Sequence, residues 1–175
     1  MASIYLQMGH CFRTTGVTGT AGEQEFNKSV AARAARLLRA RGHDVFVRRA
    51  DDPNFKTDVF AAFHADGSVS PDAHGASVGH QDSSGQRIAN AWKHAYQRMG
   101  FEGGFRPDNN TEGLAQYYGV RDALEAGTRF AFIIEAGFLT NPDEGAALRT
   151  RKGKMRVAKA LTRAIGEVVG HPHEP

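Results

Sequence analysis

Three apolar runs of this sequence end in a residue that can bind a metal ion or move a proton. The first run is followed by His10, and two later runs close on His64 and Glu135. A core strand has no packing reason to end repeatedly in His or Glu. A further carboxylate, Glu23, lies at the start of the first predicted helix, where its side chain can turn back over the same edge. Two histidines and one carboxylate suit catalytic zinc, which keeps a fourth position open for water.

Hydrolysis of an amide bond would use all four of these residues. Zinc lowers the pKa of its water molecule and polarises the scissile carbonyl group. A nearby carboxylate must then move a proton from that water to the departing nitrogen, because an amine leaves poorly unless it is protonated. Glu135 is the leading candidate for this carboxylate. A Glu that follows Ile133 and Ile134 is expected to have a raised pKa or a close partner.

Each of these residues also has a purely structural interpretation. A histidine near the end of a strand is commonly a hydrogen-bonded loop residue. Glu23 in a first helical turn can simply complement the helix dipole. From the residues alone, the zinc site and these structural roles both stay open.

The elements that would position the four residues alternate between strands and helices. Apolar positions spaced by three and four from Phe26 to Arg41 predict a helix that Gly42 ends. Ser83 or Ser84 is expected to cap a second helix, and Pro142 suits a first helical turn. Short apolar runs typical of buried strands occur at 4–8, 45–47, 59–63 and 130–134. This alternation predicts an α/β fold, a mainly parallel twisted sheet flanked by helices on both faces. Ligands of such sheets bind beyond the carboxyl ends of the strands.

Length and composition are those of one globular unit. With 175 residues, 41% hydrophobic and 23% charged, the chain fits a single domain over 1–170 followed by a tail at 171–175, and we expect a monomer. The single cysteine, Cys11, excludes an internal disulfide. The sequence shows no signal peptide and no apolar run long enough to anchor in a membrane. We therefore expect synthesis in the cytoplasm and no membrane partner.

The net charge is mildly positive, at +3 with a pI near 9.2. Basic residues cluster at 33–49 and 149–163, both with helical patterning. A positive field of this size would draw the chain towards anionic polymers such as nucleic acid or a bacterial wall. Solvated helix faces are the simpler explanation of both clusters.

Four segments of the chain resemble, in order, the four signature blocks of a known enzyme family. They are Ile-Tyr-Leu-Gln-Met-Gly-His at 4–10, Gly-Glu-Gln-Glu-Phe-Asn at 22–27, Phe-His-Ala-Asp at 63–66 and Ile-Ile-Glu-Ala-Gly-Phe-Leu-Thr-Asn at 133–141. The family is the zinc-dependent N-acetylmuramoyl-L-alanine amidases of the amidase-3 type, found in bacterial autolysins and phage endolysins. The fourth block is highly specific, whereas the first block is weak when taken alone.

The resemblance implies an α/β catalytic domain that hydrolyses the amide bond between N-acetylmuramic acid and L-alanine in peptidoglycan. It implies His10, Glu23 and His64 as zinc ligands and Glu135 as the catalytic glutamate. Together with the missing signal peptide, it suits an endolysin that is made in the cytoplasm of a bacterial host and acts on the cell wall after release. A domain taken from a larger lysin is equally consistent with these features. It implies no nucleic-acid partner.

The sequence departs from the family pattern beside the first ligand. Cys11-Phe12-Arg13 stands where the family continues with glycines, so Cys11 is an additional candidate ligand. Glu25 competes with Glu23 as the carboxylate ligand, although the preceding Gly22 and the spacing to Asn27 favour Glu23.

Other polar residues have less defined roles. Tyr117 and Tyr118 either line the substrate cleft or serve in packing, and His74 and His80 are treated as surface residues.

Two alternative functions remain at the level of the sequence. One is a related zinc hydrolase that cleaves another amide or peptide, since loops select the substrate while the metal site stays constant. The other is a non-catalytic domain that binds the wall or nucleic acid through its basic surface. Zinc dependence would favour the enzymes, and strong salt dependence without zinc dependence would favour the binding domain.

Overall fold

A computed structural model describes residues 1–13 and 19–170, and within these residues it contains five strands and six helices. The predicted tail at 171–175 lies outside the described residues. The strands are β1 (Ser3–Met8), β2 (Asp44–Arg49), β3 (Val59–Asp66), β4 (Ser77–Gly79) and β5 (Phe130–Phe138). The helices are α1 (Glu23–Arg39), α2 (Ser83–Arg98), α3 (Glu112–Ala115), α4 (Tyr118–Glu125), α5 (Pro142–Arg149) and α6 (Arg151–Val169).

The five strands form one sheet in the order β2-β1-β3-β5-β4. The first four strands in this order are parallel to their neighbours, and only β4 runs antiparallel to β5. The predicted α/β fold with a mainly parallel sheet is therefore confirmed. The carboxyl ends of β1, β3 and β5 meet at one edge, and this edge carries three of the four candidate residues.

Side chains of the central strands alternate between the two faces of the sheet. On one face Ile4, Leu6 and Phe63 pack in a core with the long helices α1, α2 and α6. On the other face Tyr5, Phe60 and Ile133 pack with the short helices α3 and α4. Helices therefore cover both faces, as predicted. Because both sides are buried, the central strands read as continuous apolar runs.

Three features of the fold differ from the expectations, and the first is that the short helices α3 and α4 were not predicted. The polar stretch after His64 contains the edge strand β4, which was not predicted. Its three residues are too few to show the alternation of buried and exposed side chains that is typical of a strand. The cap of α2 is Asp82, whose side chain accepts a hydrogen bond from the Gly85 N–H at 2.6 Å. The expected cap at Ser83 or Ser84 is wrong, because Ser83 already belongs to the first helical turn. Pro142 does occupy the first turn of α5.

Among the helices of residues 1–13 and 19–170, none is both long and apolar enough to cross a membrane.

Candidate metal centre

Three of the predicted site residues converge at the carboxyl edge of the sheet. Within the described part of the chain, His10, Glu23 and His64 form a group whose potential ligand atoms all lie within 4.8 Å of one another. Glu23 Oε1 is 3.2 Å from His64 Nδ1 and 3.6 Å from His10 Nε2. The two imidazole rings meet edge to face, with 4.8 Å between their centroids. The three side chains come from the loop after β1, the first residue of α1 and the end of β3.

His10 is held in place by its backbone. Its φ of 56° lies in the left-handed region, which costs free energy for a residue with a side chain and is common at functional sites. The Gln24 side-chain amide donates to the His10 carbonyl oxygen at 2.7 Å. This bond ties the loop after β1 to the first turn of α1.

Gly9 provides the space that His64 needs. A Cβ atom at Gly9 would overlap the His64 imidazole ring. Gly9 follows β1 in register with His64, because Met8 pairs with Phe63 one position earlier. The Gly-His pair of the first block thus has a steric reason: a side chain at Gly9 would displace the second histidine.

Glu23 is buried and hydrogen-bonded by backbone groups on both sides. The Ala65 N–H donates to Glu23 Oε1 at 3.2 Å, and the Thr20 N–H donates to Oε2 at 3.0 Å. Burial acts to raise the pKa of Glu23, but the hydrogen bond and charge of His64, with smaller effects of His10 and Thr20, lower it below its usual value. The side chain is therefore an oriented carboxylate.

Asn27 connects Glu23 to the loop after β1. Its side-chain amide donates to the Gly9 carbonyl oxygen at 2.9 Å and lies 3.5 Å from Glu23 Oε1. This double contact gives a physical reason for the spacing of four residues between Glu and Asn, since positions i and i+4 share one face of a helix.

His64 is fixed through both of its ring nitrogens. Nδ1 faces Glu23, and Nε2 lies 3.1 Å from the Tyr117 hydroxyl group. The Tyr117 hydroxyl group in turn donates to Gln7 Oε1 at 2.7 Å. Burial penalises the charged imidazolium and lowers the pKa of His64, and the Glu23 carboxylate offsets this only in part. The ring is therefore held neutral, the form that binds a metal.

The donor set fits a zinc ion. Neighbouring ligand atoms of a tetrahedral ion with bonds of about 2.0–2.2 Å lie roughly 3.3–3.6 Å apart. The separations of 3.2 and 3.6 Å around Glu23 Oε1 match this spacing. One carboxylate and two imidazoles, with a cavity on the open side, are typical of catalytic rather than structural zinc sites.

Glu135 lies beside this group on the next strand. It pairs in register with His64 on β3, so both side chains leave the same face of the sheet. Glu135 Oε2 is buried, and among the described residues it has no hydrogen-bond partner. Burial, with the nearby charges of Asp66 and Glu23, raises the pKa of Glu135 well above its usual value. A carboxylate oxygen that is buried without a partner is costly and is a frequent sign of a catalytic role.

An open cavity of about 470 Å³ connects these groups. His10, Glu23, Asp66 and Glu135 line it, together with loop residues such as Ser68. His10, Glu23 and the Glu135 carboxylate therefore face one space that a substrate can enter.

Other candidates from the sequence lie apart from this group. Glu25 is exposed and pairs with Lys154 at 3.3 Å. Cys11 is buried, and its thiol lies 3.7 Å from the Gln24 carbonyl oxygen. His80 lies 3.5 Å from Asp108. The described structure groups none of these with His10, Glu23 and His64.

Tyr117 is the site residue that sequence reasoning left undecided. Its role depends on α4, which the sequence analysis did not predict, and on a partner 53 positions away. The one local signal was the pair of adjacent tyrosines, which is equally compatible with packing.

Comparison with known proteins agrees with this geometry. The sequence matches the family model described as N-acetylmuramoyl-L-alanine amidase over residues 4–167. A comparison with curated protein sequences gave no significant match.

Solved structures share the fold over nearly the whole chain. The catalytic domain of CwlV, an N-acetylmuramoyl-L-alanine amidase from Bacillus (Paenibacillus) polymyxa var. colistinus, matches with a TM-score of 0.71 and 23% identity, covering 95% of this chain and 97% of that one. The amidase AmiC2 of Nostoc punctiforme matches with a TM-score of 0.73 and 19% identity, covering 94% and 95%. The catalytic domain of the CD27L endolysin, which targets Clostridia difficile, matches with a TM-score of 0.70 and 20% identity, covering 95% and 98%. At these identities the structural matches establish the fold.

Proposed function

The chain belongs to the N-acetylmuramoyl-L-alanine amidase family, and from this premise we propose that it cleaves its amide bond with a zinc ion bound by His10, Glu23 and His64. We further assign Glu135 as the catalytic acid and base. The substrate is peptidoglycan, and the scissile bond joins N-acetylmuramic acid to L-alanine. The observation that carries the proposal is the convergence of three ligand atoms beside Glu135, whose Oε2 is buried and has no hydrogen-bond partner among the described residues.

The zinc ion, when bound, would lower the pKa of a water molecule and polarise the carbonyl oxygen of the amide. Glu135 takes the proton from the attacking water and delivers it to the departing L-alanine nitrogen. Its raised pKa suits this task, because a group that accepts and then returns a proton works best when its pKa is near the working pH. The ladder between β3 and β5 holds Glu135 and His64 at a fixed separation.

The place of action follows from the substrate. A peptidoglycan hydrolase must reach the bacterial cell wall, and we propose that the protein acts there in the manner of an endolysin. The fold shared with the catalytic domain of the CD27L endolysin supports this proposal.

The decisive experiment combines digestion of purified peptidoglycan with measurement of bound metal. We expect mass spectrometry to show new L-alanine amino termini with the zinc-loaded protein, none after treatment with a chelator, and recovery when zinc is restored. Glu135→Gln is expected to keep stoichiometric zinc while losing activity by at least about 100-fold, the usual contribution of a general acid–base group. Full activity of this variant would refute the role of Glu135.

The metal ligands are tested with matched controls. Glu23→Gln and His64→Ala should lose bound zinc, measured by elemental analysis after gel filtration. Glu25→Gln and His94→Ala change exposed residues of the same types and should retain it. Stoichiometric zinc in His64→Ala would refute the ligand assignment.

The same digestion distinguishes the alternatives. Cleavage within the stem peptide would identify a zinc peptidase, and binding of peptidoglycan without any product would identify a binding domain.

A further inference from the structure

A groove on the helical side of the molecule is lined almost entirely by cations. The groove has a volume of about 370 Å³ and lies where the end of α2 meets α6. Its lining residues are Arg98, Met99, Lys152, Met155, Arg156, Lys159 and Arg163. Five of these seven are basic and none is acidic. Four basic residues of the cluster at 149–163 therefore share one surface with Arg98, and we call this surface the α2–α6 groove.

The spacing of the cations follows from helix geometry. Lys152, Arg156, Lys159 and Arg163 are separated by four, three and four residues, which places them on one side of α6. At 1.5 Å per residue the row extends about 16 Å along the helix axis, with one cation every 5–6 Å or so. Arg98, in the last turn of α2, adds a fifth positive charge at the other wall.

These charges are not neutralised within the described part of the chain. None of the five cations forms an ion pair there, whereas Lys93, Arg121 and Lys154 each pair with a carboxylate. The Nε of Arg156 is buried and has no hydrogen-bond partner among the described residues. Five adjacent uncompensated cations repel one another, so an anion in the groove would relieve an existing electrostatic cost.

The pattern fits a linear polyanion better than an isolated anion. A row of evenly spaced cations matches a polymer that carries one charge on each repeat unit. Arginine presents a planar fork that suits phosphate oxygens, and lysine adds a mobile point charge. The floor of Met99 and Met155 can contact an aliphatic linker between the charged groups.

We propose that the α2–α6 groove binds a phosphodiester polymer of the bacterial wall, of the poly(glycerol phosphate) kind. The wall location rests on the proposed function, but the binding of the polymer does not. In this arrangement the polymer holds the enzyme against the wall while the metal centre acts on a neighbouring glycan strand.

Two other anionic partners fit the groove less well. A membrane surface would require exposed apolar side chains next to the cations, yet the exposed large hydrophobic residues of the described chain are Met1, Phe55, Val69 and Tyr118, outside the groove. Single-stranded nucleic acid is bound by stacking of its bases on aromatic side chains, and no aromatic residue lines the groove.

A second cavity borders the groove at Arg156. This cavity has a volume of about 500 Å³, and its lining includes three carboxylates, Glu102, Asp143 and Glu144. Because carboxylates repel phosphate groups, a polymer bound in the α2–α6 groove would follow α6 and would not enter this cavity.

The test measures binding of soluble poly(glycerol phosphate) by isothermal titration calorimetry, independently of catalysis. Lys159→Glu/Arg163→Glu reverses two exposed charges of the groove, and Arg36→Glu/Lys56→Glu reverses two exposed charges elsewhere. Both double variants remove two positive charges and add two negative ones, so their net charges are identical. We expect about a 10-fold or greater loss of affinity in the groove variant and less than about 3-fold in the control, because the polymer contacts only the groove cations.

Salt dependence provides a second measurement. The slope of log K against log salt concentration should become shallower by about 1–2 in the groove variant and stay unchanged in the control, since each phosphate contact contributes roughly 0.7 to the slope. Lys159→Gln/Arg163→Gln gives a milder version in case charge reversal impairs folding, and circular dichroism checks the fold of each variant.

Several results would overturn the proposal. It fails if the wild-type protein does not bind the polymer or if groove and control variants weaken binding equally. Tighter binding to phosphatidylglycerol vesicles or to a single-stranded DNA oligonucleotide than to the polymer would also refute it. Hydrolysis of a soluble muramoyl-peptide should be unchanged in the groove variant, and this result separates the proposal from the proposed catalytic function.

Discussion

His64 is held from both sides of its ring, and this fixes which nitrogen can bind a metal. If Nδ1 presents its lone pair to the ion, Nε2 carries the proton and donates it to the Tyr117 oxygen at 3.1 Å. The Tyr117 hydroxyl then donates to Gln7 Oε1 at 2.7 Å. Burial raises the pKa of Tyr117 well above its usual value, so the phenol keeps the proton this chain requires. Partners of this kind orient metal ligands in many sites.

Tyr117→Phe should therefore weaken zinc binding by about 10–100-fold, the range found when a hydrogen-bond partner of a metal ligand is removed. A competition titration with a chromophoric chelator measures this affinity. Tyr5→Phe is the matched control, because its hydroxyl donates to the Asp52 carbonyl oxygen at 3.2 Å and has no contact with His64 or Tyr117 among the described hydrogen bonds. Equal zinc affinity in wild type and Tyr117→Phe would show that the tyrosine only packs against the ring.

Glu135 makes stability depend on pH in the metal-free protein. Its pKa is raised in the folded state above the usual value of 4.5, so the folded protein favours the protonated form. The protonated Glu135 side chain stabilises the folded state fully at pH values below the pKa that it has in the unfolded state. This contribution is lost as the pH rises through the pKa that it has in the folded state. At neutral pH the ionised Glu135 side chain therefore destabilises the folded, metal-free protein.

Glu135→Gln should stabilise the metal-free protein at about pH 7, by on the order of 1 kcal/mol, and this gain should vanish near pH 4. Urea unfolding at both pH values measures the difference in free energy of unfolding. Glu25→Gln, which changes an exposed carboxylate, should show no comparable gain. A gain of the same size at both pH values would contradict the assignment to ionisation of Glu135.

At the scale of elements, the start of α5 links the end of β5 to the loop that precedes β4. Asn141 caps α5 by accepting hydrogen bonds from the N–H groups of Asp143 and Glu144, at 3.1 and 2.9 Å. Its amide also donates to the Pro71 carbonyl oxygen at 3.0 Å. Glu144 then accepts from the Phe138 N–H at 2.6 Å and from the Gly75 N–H at 3.1 Å. The Asn of the fourth sequence block therefore supports the strand that carries Glu135.

Asn141→Ala should lower the free energy of unfolding by about 1–2 kcal/mol, since it removes the helix cap. Asn141→Ser keeps a capping oxygen but loses the bond to Pro71, so its cost should be smaller. Chemical denaturation of the three proteins gives the order. If serine and alanine are equally costly, the cap is not the source of the stabilisation.

At the scale of the whole molecule, the proposed metal site joins segments that are far apart in the sequence. Its ligands come from the loop after β1, from α1 and from β3. An ion that binds only when these segments are assembled stabilises the folded state by mass action.

Saturating zinc should therefore raise the melting temperature. A concentration of about 1,000 times the dissociation constant contributes roughly 4 kcal/mol. For a chain of this length that corresponds to an increase of about 8–16 °C. Differential scanning calorimetry with zinc and with a chelator measures the shift. The His64→Ala variant should show almost no shift, and a full shift in that variant would mean that the zinc binds elsewhere.

The sequence was sufficient to predict the class of fold, and it singled out four residues that the structure places close together at one edge of the sheet. Strand and helix periods are local, because they reflect the burial of each segment on a sheet face or helix face. A parallel arrangement brings the carboxyl ends of the strands to one edge of the sheet. The sequence alone therefore predicted that His10, His64 and Glu135 lie close together. Sequence blocks then linked these residues to zinc chemistry.

Other properties depended on contacts between distant segments. Only the tertiary structure placed Glu23 against His64 while leaving Glu25 exposed beside Lys154. It also brought the Tyr117 hydroxyl to His64, and it showed that the cations of α6 share a groove with Arg98 of α2 and no acidic residue. The periodicity of a segment predicts which of its faces is buried. It does not predict which side chains of other segments pack against that face. The ligand shell and the charge of a groove are set by packing, and packing is decided by the whole chain.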